Sequence, residues 1–96
     1  MVLSELGETC KDRGWLPIGS LDECIASTGF FETYYPVYEF KAEENNQQYP
    51  KGCYVLEYWE AGEIRGFFNT HQSGAGEDDS RALCTIPKGK ALKKYI

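Results

Sequence analysis

Apolar and polar positions alternate most regularly between Cys53 and Trp59. Cys53, Val55, Glu57 and Trp59 fall on one face of an extended chain, and Tyr54, Leu56 and Tyr58 on the other. Glu60-Ala61-Gly62-Glu63 reads as a tight turn and Ile64 to Asn69 as a returning strand, so this stretch predicts a β-hairpin. A different period governs residues 20 to 29. Leu21, Cys24 and Ile25 stand at i, i+3 and i+4, the spacing of one helix face, and Ser20 with Glu23 forms a capping box at its start. A helix is expected over 21 to 28, with Asp22 and Glu23 complementing its dipole and Gly29 ending it in a left-handed conformation.

The other segments are shorter. Trp15 to Ile18 is apolar but contains Pro17, which cannot donate to a ladder and so marks an edge or irregular strand. Aromatic and β-branched residues dominate 30 to 41, Pro36 interrupts them, and a short extended segment is expected near 37 to 40. Ala42 to Tyr49 is polar and reads as a loop, as does the Gly-, Ser- and Asp-rich run from His71 to Arg81. Ala82 to Ile86 supplies a last strand, closed by Pro87. The pattern predicts an α+β domain with one short helix packed on a small, mainly antiparallel sheet. Residues 1–9 read as an arm, 10–87 as the domain and 88–96 as a tail.

A single domain of 96 residues has a thin core, since such a chain buries only about two thirds of its unfolded surface. Its cysteines therefore matter. Cys10, Cys24, Cys53 and Cys84 are even in number and spread along the chain, as in a cross-linked framework. No two lie at the spacing of a zinc knuckle, and the single histidine, His71, adds no ligand pattern, so disulfides are expected and a metal or other cofactor is not. Buried free thiols are the alternative. Three pairings are open; the nested one, Cys10 to Cys84 and Cys24 to Cys53, is preferred because it ties the ends together and pins the helix to the sheet. Loops of these lengths would stabilise by about 4 and about 3.5 kcal/mol taken singly.

Charge divides the chain. Residues 1–87 carry six basic and fifteen acidic side chains, a net charge of −9, whereas the last nine residues hold Lys88, Lys90, Lys93 and Lys94 and no acid. The acidic body argues against nucleic acid as a partner, and the tail, ending Tyr95-Ile96, reads either as a solvated end or as a strap for an acidic protein face or anionic lipid. Seven Tyr, five Phe and two Trp exceed what one helix and a small sheet can cover, so Tyr34, Tyr35, Tyr38, Tyr54, Tyr58 and Trp59 are the pool from which a partner-binding surface is expected. Tyr34, Tyr35, Tyr58 and Trp59, with the tail residues Lys88, Lys90, Lys93, Lys94 and Tyr95, are the candidates for partner contact.

Catalytic readings are thin. The cysteines are assigned to bridges, His71 lies before a Gly-rich loop as a surface histidine would, and Glu77-Asp78-Asp79 lacks the ligand spacing of a calcium loop. Glu57 and Glu60 stand at a strand end and a turn rather than across a cleft. No apolar run approaches a membrane span, the N-terminal residues lack the features of a signal peptide, and no N-glycosylation sequon occurs. Disulfides without a signal imply that a targeting segment was removed or precedes this sequence.

Cys10-x-x-x-Gly14-Trp-Leu-Pro-Ile18-x-Ser20-x-x-Glu23-Cys24, Tyr49-Pro-Lys-Gly-Cys53-Tyr54, Gly66-Phe-Phe-Asn69 and Leu83-Cys84 together resemble a small cysteine-rich module of dinoflagellate and other microalgal proteins. The likeness covers about residues 8 to 88, and its most specific parts are the Pro-x-Gly-Cys-Tyr segment, the Phe-Asn pair and the late cysteine. It departs at Leu83-Cys84-Thr85 and in the basic extension. The resemblance implies an exported or compartment-directed chain, and hence an oxidising compartment, the thylakoid lumen or the cell exterior. The function expected is a non-catalytic protein-interaction module, an accessory or peripheral subunit such as one on the lumenal side of an algal photosystem. An extracellular carbohydrate-binding module of an algal cell covering is the alternative.

Overall fold

The structure is a computed structural model that describes residues 2–29, 37–58 and 63–87, with the backbone alone at Val37, Tyr38, Ala42, Tyr58 and Glu63. Among the described residues, six strands, β1 (Val2–Leu3), β2 (Leu16–Pro17), β3 (Val37–Glu44), β4 (Gly52–Tyr58), β5 (Glu63–Asn69) and β6 (Ser80–Thr85), and one helix, α1 (Leu21–Thr28), form a single α+β unit. The sheet runs β1-β6-β4-β5-β3, with β2 also on β6. Among the described residues β3 against β5 is parallel and the other ladders are antiparallel. Among the described residues no helix is long and apolar enough to cross a membrane.

The alternation seen in β4 buries both faces of the strand. Cys53 and Val55 point to the α1 side, where Ile18, Cys24, Ile64, Phe68 and Leu83 complete a core with Leu3, Leu21 and Phe40 at its margin. Val55 and Leu83 are fully buried, each worth about 1.5 to 3 kcal/mol relative to exposure. On the opposite face Tyr54 is stacked between Tyr49 and Phe67, with ring centroids 5.2 and 5.3 Å away, and its hydroxyl donates to Glu44. Cys10, Cys84 and Ala82 form a second small cluster with Val2 and Trp15.

Each disulfide fastens one of these faces. Cys24–Cys53 ties α1 to β4, and Cys10–Cys84 ties the segment before β2 to β6. Because Cys53 and Leu83 share one face while Ala82 and Cys84 share the other, the bridges lie on opposite sides of the sheet.

Several local expectations need correction. Gly29 is right-handed, at φ −57° and ψ −28°, because its N–H still donates to the Ile25 carbonyl at 3.2 Å and so extends the helical pattern. Ile25 is 46% exposed; Thr28 takes its place in the interior, its hydroxyl neutralised by donation to the carbonyls of Cys24 (2.9 Å) and Ile25 (3.2 Å). β3 continues through Glu44, beyond the expected end at 40, since the parallel ladder with β5 resumes after a register shift between Phe40 and Ala42. Backbone pairing there overrides the polar side chains. The arm supplies β1, with Ser4 fixing it to β6: its N–H donates to the Ala82 carbonyl and its hydroxyl accepts from the Ala82 N–H, both at 2.9 Å. The expected turn at 60–63 lies almost wholly outside the described residues.

Candidate functional site

An open groove of about 610 Å³ lies beside β2, within the roughly 300–1,000 Å³ of small-ligand sites. One wall begins with a 3-10 turn, Lys11–Arg13. Thr9 and Asp12 hold it reciprocally: the Thr9 N–H donates to Asp12 Oδ2 at 2.8 Å and the Asp12 N–H to Thr9 Oγ1 at 3.3 Å. The Cys10–Cys84 bridge roots the turn in the sheet, and Trp15 packs on that bridge and Ala82. The Arg13 guanidinium sits 5.9 Å from the Trp15 ring centroid and bonds Glu8 Oε1 at 2.8 Å. The hydrogen bond from Arg13, supported by that from the Glu5 N–H at 3.0 Å, holds the Glu8 carboxyl below the usual glutamate range. The wall ends in Leu16 and Pro17. Leu16 is 56% exposed, more than any other large apolar side chain among the described residues.

The facing wall is Lys51 and the loop from Gln72 to Gly76. His71 shapes the start of this loop, with Nδ1 accepting from the N–H groups of Ser73 (3.2 Å) and Gly74 (3.1 Å). Gly74, at φ +56°, lies so close to the preceding loop that a Cβ would stand 2.5 Å from the Lys51 nitrogen. Only glycine fits that approach. The Ala75 N–H donates to the Tyr49 carbonyl at 2.9 Å. A second hollow of about 250 Å³ shares Pro17 and Lys51 with the first and extends past Gly52 to Thr70.

Asn69 organises the ground behind Lys51. It is 1% exposed, and its Nδ2 donates to the carbonyls of Asn46 (2.7 Å), Tyr49 (3.0 Å) and Pro50 (3.0 Å). Its Oδ1 accepts from the N–H groups of Asn46 (2.9 Å) and His71 (3.1 Å). One buried amide therefore clasps the 46–50 loop and the start of the 71–76 loop together.

Other polar groups are engaged elsewhere. Glu57, 8% exposed, accepts from Arg81 Nε at 2.8 Å through Oε1, while its buried Oε2 has no hydrogen-bond partner among the described residues. Arg81 also donates to the Ser4 carbonyl at 3.2 Å and stands 3.8 Å from Glu5. This cluster ties β4 and β6 to the arm and lines neither hollow. Glu77, Asp78 and Asp79 are exposed, and no group of three His, Cys, Asp or Glu side chains among the described residues could hold a metal ion.

The aromatic and basic candidates fare differently. Tyr34, Tyr35, Trp59, Lys88, Lys90, Lys93, Lys94 and Tyr95 lie outside the described residues, and Tyr58 is described only in its backbone, paired with Glu63. Tyr54 is interior, at 1% exposure, and leaves the pool of surface aromatics. The groove residues Lys11, Trp15, Leu16 and Lys51 were not singled out from the sequence. The available signal was Pro17, which marks an edge, facing a Gly-rich loop. Compared with known families, curated proteins and solved structures, the chain matches none.

Proposed function

We propose that this chain is a non-catalytic protein-interaction module, an accessory or peripheral subunit of a larger assembly. The observation that carries the reading is the open groove, whose walls are held by a disulfide on one side and by the Asn69 clasp on the other. An exposed leucine between a half-buried tryptophan and a proline, rimmed by lysines, has the make-up of a protein contact surface. The groups that catalysis most often recruits have structural duties: the cysteines are bridged and the His71 Nδ1 accepts backbone N–H groups.

The two disulfides are compatible with an oxidising compartment. With the microalgal resemblance, they make the lumenal face of a photosystem the specific candidate. Mild-detergent extracts of algae expressing a tagged chain, resolved by native electrophoresis, should show it migrating with a large complex. Elution as a free monomer would refute the reading.

A carbohydrate-binding module of a cell covering is the second reading, favoured by Trp15 standing with Asp12 and Gln72 along the groove. It ranks lower because Trp15 already packs on the disulfide and under Arg13, leaving little ring face for a sugar. A glycan array with strong, saturable signals would reverse the order.

A further inference from the structure

The charge of the groove is opposite to that of the molecule around it. Residues 1–87 carry a net charge of −9, yet among the described residues the ionisable side chains along the groove are Lys11, Lys51 and Asp12, a local balance of +1. Lys11 and Lys51 are exposed and line the groove together with Leu16, Pro17 and Trp15. From this arrangement we infer that the groove binds an extended, acidic segment of a partner protein, anchored by one aliphatic or aromatic side chain against Leu16 and Pro17 and by carboxylates paired with Lys11 and Lys51. The inference rests on the protein-interaction reading above and names the partner chemistry at the same site.

Charge complementarity selects this occupant. An acidic segment finds two lysine partners along the groove that a neutral or basic segment does not use, while residues 1–87 as a whole carry net negative charge. That contrast favours the groove over the acidic remainder of residues 1–87. Leu16 argues for a peptide over an acidic glycan, because an exposed aliphatic side chain offers a sugar no stacking surface and offers a leucine or phenylalanine an apolar contact.

The test is an NMR titration of the 15N-labelled, disulfide-intact chain with the blocked peptide Gly-Glu-Leu-Glu-Phe-Glu-Gly. The same peptide with glutamines for glutamates serves as comparison. Saturable shifts are expected at amides of Lys11, Trp15, Leu16, Lys51 and Gln72 to Gly76, with the glutamine peptide about fivefold weaker or more and with attenuation as ionic strength rises. Lys51→Glu and Leu16→Ser, at exposed positions, should each weaken binding about fivefold while leaving the other amide positions unchanged.

Equal binding of the glutamine peptide, shifts confined to other surfaces, or no saturable shift below about 1 mM peptide would overturn the inference. So would shifts at the same amides caused by a sulfated oligosaccharide and not by the peptide. The two readings separate cleanly. If Lys51→Glu still migrates with the large complex, the module reading stands without the groove; if the wild type runs free while the peptide binds, the groove stands without the assembly.

Discussion

Replacing Asn69 by alanine removes one side chain and five hydrogen-bond contacts. Its Nδ2 carries two hydrogens shared among three carbonyls, so those contacts count as two full bonds, and the two N–H groups on Oδ1 add two more. At about 1 kcal/mol net for each, less what water restores around the half-buried Asn46 and Tyr49, the loss is about 3 kcal/mol. Against a total of roughly 5–15 kcal/mol this is large, and it corresponds to a Tm lower by about 12 to 24 °C for a domain of this size. Urea unfolding of the disulfide-intact protein, followed by far-UV circular dichroism, measures it. Asn69→Asp sharpens the test. The isosteric carboxylate can still accept on the Oδ1 side but places an acceptor against three carbonyls, so it should cost at least as much as alanine at neutral pH. A loss under about 1 kcal/mol for Asn69→Ala, or an aspartate variant milder than the alanine one, would refute the clasp.

Paired Cys24→Ser and Cys53→Ser substitutions, or Cys10→Ser with Cys84→Ser, should each lower stability by about 2 to 4 kcal/mol in non-reducing urea titrations. Only the second pair should also shift the amides of Lys11 to Leu16, because that bridge lies under the groove wall. Gly76→Ala should destabilise by about 1 to 3 kcal/mol in thermal melts, since its Cβ would stand 2.0 Å from the Gly7 carbonyl oxygen, whereas Gly19→Ala meets nothing within 4 Å and should be near neutral. The Glu8 carboxyl, followed by NMR, should titrate below the usual glutamate range and rise toward it in Arg13→Gln, with the Glu5 N–H still holding part of the depression. Since the folded value is depressed, the stability this pair contributes is present above the unfolded glutamate pKa and fades as pH falls through the folded one.

Where one physical signal governed a segment, the sequence was enough to read it. The period of two in β4, the return of β5 beside it, the Ser20 cap, whose hydroxyl accepts from the Glu23 N–H at 3.2 Å, and the span of α1 follow from side-chain pattern and local hydrogen bonding. Tertiary pairing decided the rest. Nothing in Lys-Ala-Glu-Glu, residues 41–44, announces a strand; its backbone is extended because β5 offers a parallel edge there. Ile25 has helical spacing and apolar character, yet the interior needed a small residue at Thr28, and a threonine that can bond its own helix carbonyls fits. The Phe68-Asn69 pair stood out only through the microalgal resemblance. Its physical meaning, one buried amide joining two loops, depends on contacts some twenty residues away in sequence.

The groove was the least legible feature because none of its parts is distinctive alone. A proline after Leu16, a lysine at 51 and a Gly-rich run at 74–76 are ordinary loop and edge residues. What makes them a site is that the Cys10–Cys84 bridge brings the first wall to β6 while Asn69 and the close approach of Gly74 to Lys51 bring up the second. Count and sign of charge over a whole chain say little about one surface for the same reason. The whole-chain balance is acidic, and the sequence drew attention to the basic tail, but a field at a binding surface is set by the few charges that face it. Here, among the described residues, those are two lysines against one aspartate, so the positive character of the groove is a product of the fold rather than of composition.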